Sequence, residues 1–174
     1  MNTANKLTIL RVFMIPLFLL VLYLDFKYCN IVALAIFILA SLTDFVDGYI
    51  ARHYNQVTDF GKFLDPLADK VLVVAAMLWF VETGLMPAWA VLIVIVREFA
   101  VTALRLVAVD GGRVIAAGWS GKIKTASTMV CICIMLVQIS SMLNTICVAV
   151  ILITTVYSGV EYFVKNKDVI NFKA

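Results

Sequence analysis

Residues 31–51 read IVALAIFILASLTDFVDGYIA, an apolar run that meets two aspartates, Asp44 and Asp47, only in its second half. About 20 apolar residues suffice to cross a bilayer as a helix. A lone strand in hydrocarbon would leave its backbone groups unpaired. The stretch therefore predicts a membrane-spanning helix with acids at one end. Five more runs of similar length flank it, at Leu7–Leu24, Phe63–Val81, Ala88–Val109, Thr125–Leu143 and Ile146–Val164. The expectation is an all-α polytopic membrane protein, a six-transmembrane-helix bundle forming a single domain over residues 1–174.

Composition agrees. The 174 residues are 64% hydrophobic and 14% charged, with a mean hydropathy of +1.04. Soluble domains sit nearer half apolar, so the polar surface is too small to cover a globule in water. A net charge of +3 is too weak to argue for nucleic acid. The first apolar stretch is long and lacks a small-residue cleavage site, so it does not read as a signal peptide. Cys29, Cys131, Cys133 and Cys147 lie in or beside apolar runs, and Cys131-x-Cys133 fits neither zinc nor redox spacing. They read as small packing residues.

Basic residues set the orientation. With the N-terminus inside, Lys6, Arg11, Arg52, Lys62, Lys70, Arg105, Arg113, Lys122, Lys124, Lys165, Lys167 and Lys173 fall on or near the cytoplasmic side. Lys27 alone lies opposite, and Arg97 falls inside the fourth span. That asymmetry follows the positive-inside rule for both termini inside. The expected outer links (Asp25–Asn30, Glu82–Pro87, Asn144–Thr145) are short, and the inner ones (His53–Lys62, Asp110–Lys124) are longer and polar. Chemistry is expected at the cytoplasmic face of the cell membrane.

Asp44 and Asp47 end the second span, and Asp65 and Asp69 begin the third. At i, i+3 and i, i+4, each pair shares a helix face. These are four of the chain's eleven acids, within residues 44–69. A charge at mid-membrane costs roughly 2.5–3.5 kcal/mol on insertion scales, and clustered carboxylates also repel one another. Lys62, Lys70 and Arg52 are candidate partners; Mg²⁺, Mn²⁺ or Ca²⁺ would suit hard oxygen ligands better. Asp44, Gly48 and Ala51 form one stripe almost without side chain. It reads either as close helix packing or as room for a flat base or a phosphate chain.

Together these positions spell Asp44-x2-Asp47-Gly48-x2-Ala51-Arg52-x8-Gly61-x3-Asp65-x3-Asp69. With every spacing intact, this resembles the signature of the CDP-alcohol phosphatidyltransferase family. The flanks Asn5–Arg11, Phe60–Lys70, Arg97–Phe99 and Gly121–Thr125 resemble the bacterial branch that uses glycerol 3-phosphate. The resemblance implies a six-helix bundle, usually a homodimer among membrane lipids, that moves a phosphatidyl group from CDP-diacylglycerol to glycerol 3-phosphate and releases CMP. It implies two divalent metals, Mg²⁺ or Mn²⁺, on Asp44, Asp47, Asp65 and Asp69, with Asp69 also the general base. It further implies that Gly48, Ala51, Arg52 and Gly61 shape the CDP site.

His53 is the only histidine, and no serine or cysteine has a base at useful spacing. A direct displacement is expected rather than a covalent intermediate. A phosphomonoester acceptor calls for cations, and Arg105, Arg113, Lys122 and Lys124 are the candidates. Their alternative role is topology and anionic-lipid contact. Lys122 and Lys124, at i, i+2, would not share a helix face. Arg97-Glu98 reads as a buried structural pair. Asn5 is a candidate for the nucleotide and Thr8 for the acceptor, with capping as their alternative. Trp79, Trp89, Trp119, Tyr157 and Tyr162 read as interface anchors. Competing acceptors are inositol phosphate, serine or phosphatidylglycerol. From another class, a cation transporter would use the same acids, but the outer halves of the spans lack the polar residues such a path needs.

Overall fold

The computed structural model describes residues 3–24, 26–53, 59–116 and 118–169; side chains are described there except at residues 3–6, 44–53, 59–63, 65 and 66. Six helices account for the described chain: α1 (Thr3–Tyr23), α2 (Cys29–His53), α3 (Asp59–Glu82), α4 (Ala88–Asp110), α5 (Trp119–Val137) and α6 (Ser141–Lys165). A short 3-10 helix, Lys167–Val169, follows. The described residues contain no strand. Among them, α5 and α6 are long and apolar enough to cross a membrane. The apolar parts of α1 and α2 with described side chains, Leu7–Tyr23 and Cys29–Thr43, are shorter. α3 and α4 have the length, at 24 and 23 residues, but carry Asp69 and Lys70, and Arg97 and Glu98, within it.

The first four helices start and stop close to the expected runs; the fifth does not. α5 begins at Trp119 and ends at Val137, six residues early at each end against Thr125–Leu143. The α5–α6 link is Gln138–Ser140, and Asn144 and Thr145 belong to α6. Gln138 leaves the helix in the left-handed region (φ 54°), donating its N–H to Met135 O, and Ser140 is extended before α6 starts. Gln138, Ser140 and Ser141 interrupt the apolar run at that break, but Ile139, Met142 and Leu143 keep the stretch apolar enough to read as one span. At the other end the α4–α5 link shrinks to residues 111–118, which puts Gly121–Thr125 on a helix. Glycines close two other helices. Gly84 (φ +73°) and Gly112 (φ +76°) follow α3 and α4 in a conformation that side chains disfavour.

α1 packs chiefly on α2 and also on α3; α5 pairs with α6; α6 also packs on α4, and α2 on α5. The core lies where these faces meet. Phe18 and Phe37 stack at 6.0 Å between centroids, and Ala33, Ala40, Ala76 and Ala90 are fully buried. Such small residues let helices approach closely where apolar solvent provides little drive to associate. Cys29, Cys131 and Cys147 are buried, and all four cysteines are free thiols. The Ser127 hydroxyl donates to Thr154 Oγ1 at 3.3 Å across the α5–α6 seam. Tyr23 OH donates to Glu82 Oε2 at 2.5 Å, tying the ends of α1 and α3. Large apolar side chains also cover the outside, including Phe13, Leu92, Phe99, Ile153 and Val160.

Candidate active site

Three helices bring charge to one cavity. α3 supplies Asp69 and Lys70, α4 supplies Glu98, and α5 supplies Lys124 and Thr128, all on the wall of a space of about 590 Å³. The remaining wall is largely aliphatic, with Ile15 and Leu19 of α1 among its residues. Each polar contribution follows from helical periodicity: Glu98 and Thr102 lie one turn apart on α4, as do Lys124 and Thr128 on α5.

Glu98 is the hub. Its Oε1 accepts from Lys124 Nζ at 2.6 Å and from Arg97 Nη1 at 3.1 Å. Lys70 Nζ stands 4.0 Å from Oε2 and donates to Thr102 Oγ1 at 2.7 Å. The Lys124 and Glu98 side chains are only 6% and 20% exposed. Withdrawing one such ion from water costs several kcal/mol, so each requires its partner. Arg97 and Glu98, about 100° apart around the helix, serve different seams. Arg97 reaches α6, where Nη2 donates to Ser158 Oγ at 3.0 Å. The helices close tightly there, since a Cβ on Gly159 would meet Arg97 Cγ at 3.2 Å.

The expected site residues divide. Asp69 and Lys124 lie on the same cavity. Lys122 shares a helix with Lys124 but not a face: Lys124 is buried, whereas Lys122 is exposed and stands 4.8 Å from the Trp119 ring centroid. Arg105 donates from Nε to Tyr162 OH at 2.9 Å. Arg113 pairs with Asp168 at the surface, both side chains more than half exposed. Thr8 is buried and, like Arg105, Arg113 and Lys122, does not line that cavity. The side chains of Asp44, Asp47, Asp65, Asn5, Gly48, Ala51, Arg52 and Gly61 lie outside the described residues; their backbones fall on α1, the second half of α2 and the first turns of α3. No group of three metal-ligating side chains occurs among the described residues.

Sequence reasoning did not anticipate Glu98 as the partner of Lys70 and Lys124. The available signal was the cost of a carboxylate inside an apolar helix. It marks Glu98 as paired without saying with what.

The Arg113–Asp168 pair yields a check outside the apolar helices. The Arg113 guanidinium, by hydrogen bond, holds the Asp168 carboxyl below its ordinary 3.8. With a lowered folded-state value, the pair's contribution is fully present above 3.8 and is lost as pH falls through the folded value. Carboxyl NMR is expected to find Asp168 titrating below 3.8 and returning toward it in Arg113→Gln. A native midpoint at or above 3.8 contradicts the pairing.

Comparison with known proteins bears on this site. A family model described as CDP-alcohol phosphatidyltransferase matches residues 1–157. The chain is similar to the CDP-diacylglycerol–glycerol-3-phosphate 3-phosphatidyltransferase of Bacillus subtilis (strain 168), at 42% identity covering 95% of each chain. A probable phosphatidylglycerophosphate synthase of Mycobacterium tuberculosis (strain ATCC 25618 / H37Rv) is 40% identical over 92% of this chain and 79% of its own. A CDP-diacylglycerol–glycerol-3-phosphate 3-phosphatidyltransferase of Salmonella typhimurium (strain LT2) is 42% identical over 74% of this chain and 73% of its own.

Proposed function

Because the chain belongs to the CDP-alcohol phosphatidyltransferase family, we infer that it transfers the phosphatidyl group of CDP-diacylglycerol to glycerol 3-phosphate. The products are phosphatidylglycerophosphate and CMP. The observation that carries the acceptor is the 42% identity, over 95% of each chain, to a relative named for that reaction. Family and apolar helices together make it a membrane protein. Six spans with both termini and the active site toward the cytoplasm is our reading of its topology. The many large apolar side chains on the outside support it, since a water-soluble monomer rarely carries such patches. The partners assigned are surrounding lipid and a second copy of the chain.

Asp44, Asp47, Asp65 and Asp69 would hold two divalent ions, Mg²⁺ or Mn²⁺. The donor set fits: four hard carboxylates, with backbones on the second half of α2 and the first half of α3, which follow each other in the chain. When bound, such ions neutralise a diphosphate and stabilise the charge that develops on it. The protein's own groups do the rest. Gly48, Ala51 and Gly61 leave room for the cytidine nucleotide, with Asn5 and Arg52 beside it. Asp69 takes the proton from the attacking hydroxyl of glycerol 3-phosphate. The new bond forms from that oxygen to the lipid-side phosphorus as the bond to CMP breaks. Thr8, Arg105, Arg113, Lys122 and Lys124 are assigned to the acceptor phosphate. Of the five, Lys124 has the strongest support, because it lines the cavity with Asp69.

Purified protein given CDP-diacylglycerol is expected to release CMP when glycerol 3-phosphate is added, and much less with serine, inositol phosphate or phosphatidylglycerol. Absence of stimulation by glycerol 3-phosphate would overturn the acceptor assignment.

A further inference from the structure

We propose that Glu98 is a positioning residue for the acceptor phosphate, holding the Lys124 ammonium at the wall of the cavity that Asp69 also lines and drawing Lys70 toward the same carboxylate. The proposal rests on Lys124 binding that phosphate and goes further by naming what sets Lys124 in place. A lysine side chain has four rotatable bonds, so its charge does not stay at one point unaided. Here Glu98 Oε1 takes one of the three N–H donors of Lys124 at 2.6 Å. Among the described residues the other two have no partner, and Lys124 lines the cavity where a ligand could take them. Lys70 is drawn to the same carboxylate, and Thr102 fixes its Nζ at 2.7 Å.

Lys70 and Lys124 both line the cavity and both approach the Glu98 carboxylate, whereas Arg97 turns to Ser158 of α6 and does not line it. A separate observation points to a ligand at Lys124. Thr128, one turn beyond Lys124, lines the same cavity and is 1% exposed. Its Oγ1 has no hydrogen-bond partner among the described residues. A buried hydroxyl left unpaired is unusual, and here it stands beside a lysine with donors to spare. An arriving phosphate has oxygens for both.

The test is a double-mutant cycle on steady-state constants. Glu98→Gln keeps the shape and removes the charge. It is expected to raise KM for glycerol 3-phosphate by on the order of tenfold, with kcat and the KM for CDP-diacylglycerol changing less than about twofold. Lys124→Met raises the same KM, and the double variant is no worse than Lys124→Met alone, because Glu98 acts through Lys124. Glu98→Asp keeps the charge but withdraws it by one methylene, so an intermediate KM is expected. If Glu98→Gln does not accumulate, Glu98→Asp decides alone: a raised KM supports the proposal and an unchanged one overturns it. An unchanged or lowered KM in Glu98→Gln, or additive effects in the double variant, also overturns it while leaving Lys124 as an acceptor ligand. If Lys124→Met leaves KM unchanged, the reading of Lys124 as an acceptor ligand falls, and the role of Glu98 with it.

Discussion

Asp69→Asn is expected to reduce CMP release by roughly 10²–10⁴-fold, the range typical of a lost general base, while largely sparing metal and CDP-lipid binding. The two side chains have nearly the same shape, and the amide keeps one oxygen for a cation. What the amide lacks is a site to take the proton of the attacking hydroxyl. Asp69 lines the same cavity as Lys124, which puts the assigned base and the assigned phosphate ligand on one space. Initial-rate measurements paired with equilibrium binding of CDP-diacylglycerol separate the two effects. A fully active Asp69→Asn enzyme would show the base to be elsewhere. An enzyme that no longer binds the nucleotide lipid would show Asp69 acting only as a ligand.

Chelation is expected to have an effect at least as large. With EDTA in excess, CMP release should fall by about a thousandfold or more, since metal ions supply several kcal/mol of charge stabilisation and each 1.36 kcal/mol is tenfold in rate. Added Mg²⁺ or Mn²⁺ should restore it. Asp44, Asp47, Asp65 and Asp69 fall within residues 44–69, on the second half of α2 and the first half of α3. Four carboxylates there repel one another unless cations sit among them. The described part of the site sharpens the point: Lys70, adjacent to Asp69 in sequence, turns to Glu98 and Thr102. That lysine is committed to α4 and is not a ready substitute for a metal ion. Activity that persists undiminished in chelator would remove the metal mechanism.

Much of this was readable before any coordinates. The helical class follows from apolar runs of bilayer length, because hydrocarbon accepts only backbone that pairs within itself. The acids at the end of α2 and the start of α3 could be placed by counting residues. So could the split between Lys122 and Lys124, since two residues along a helix turn the chain through about 200°. The break at Gln138 has a sign in the sequence, the polar residues Gln138, Ser140 and Ser141, but Ile139, Met142 and Leu143 among and beyond them leave its position open. What fixes it is the left-handed backbone at Gln138. The dispersal of Arg105 and Arg113 onto Tyr162 and Asp168 also escaped sequence reading, because proximity in the chain had grouped them with Lys124.

The sequence by itself determined the helical class, the place of the aspartates along α2 and α3 and the chemistry they suit. All of these depend on the identity and spacing of residues within a single segment. Only the tertiary structure decided that Glu98 of α4 is the partner of Lys124 of α5, 26 positions away, and that Asp69 shares their cavity. Which faces of α3, α4 and α5 meet depends on how the whole bundle fills its interior, and no local pattern encodes that.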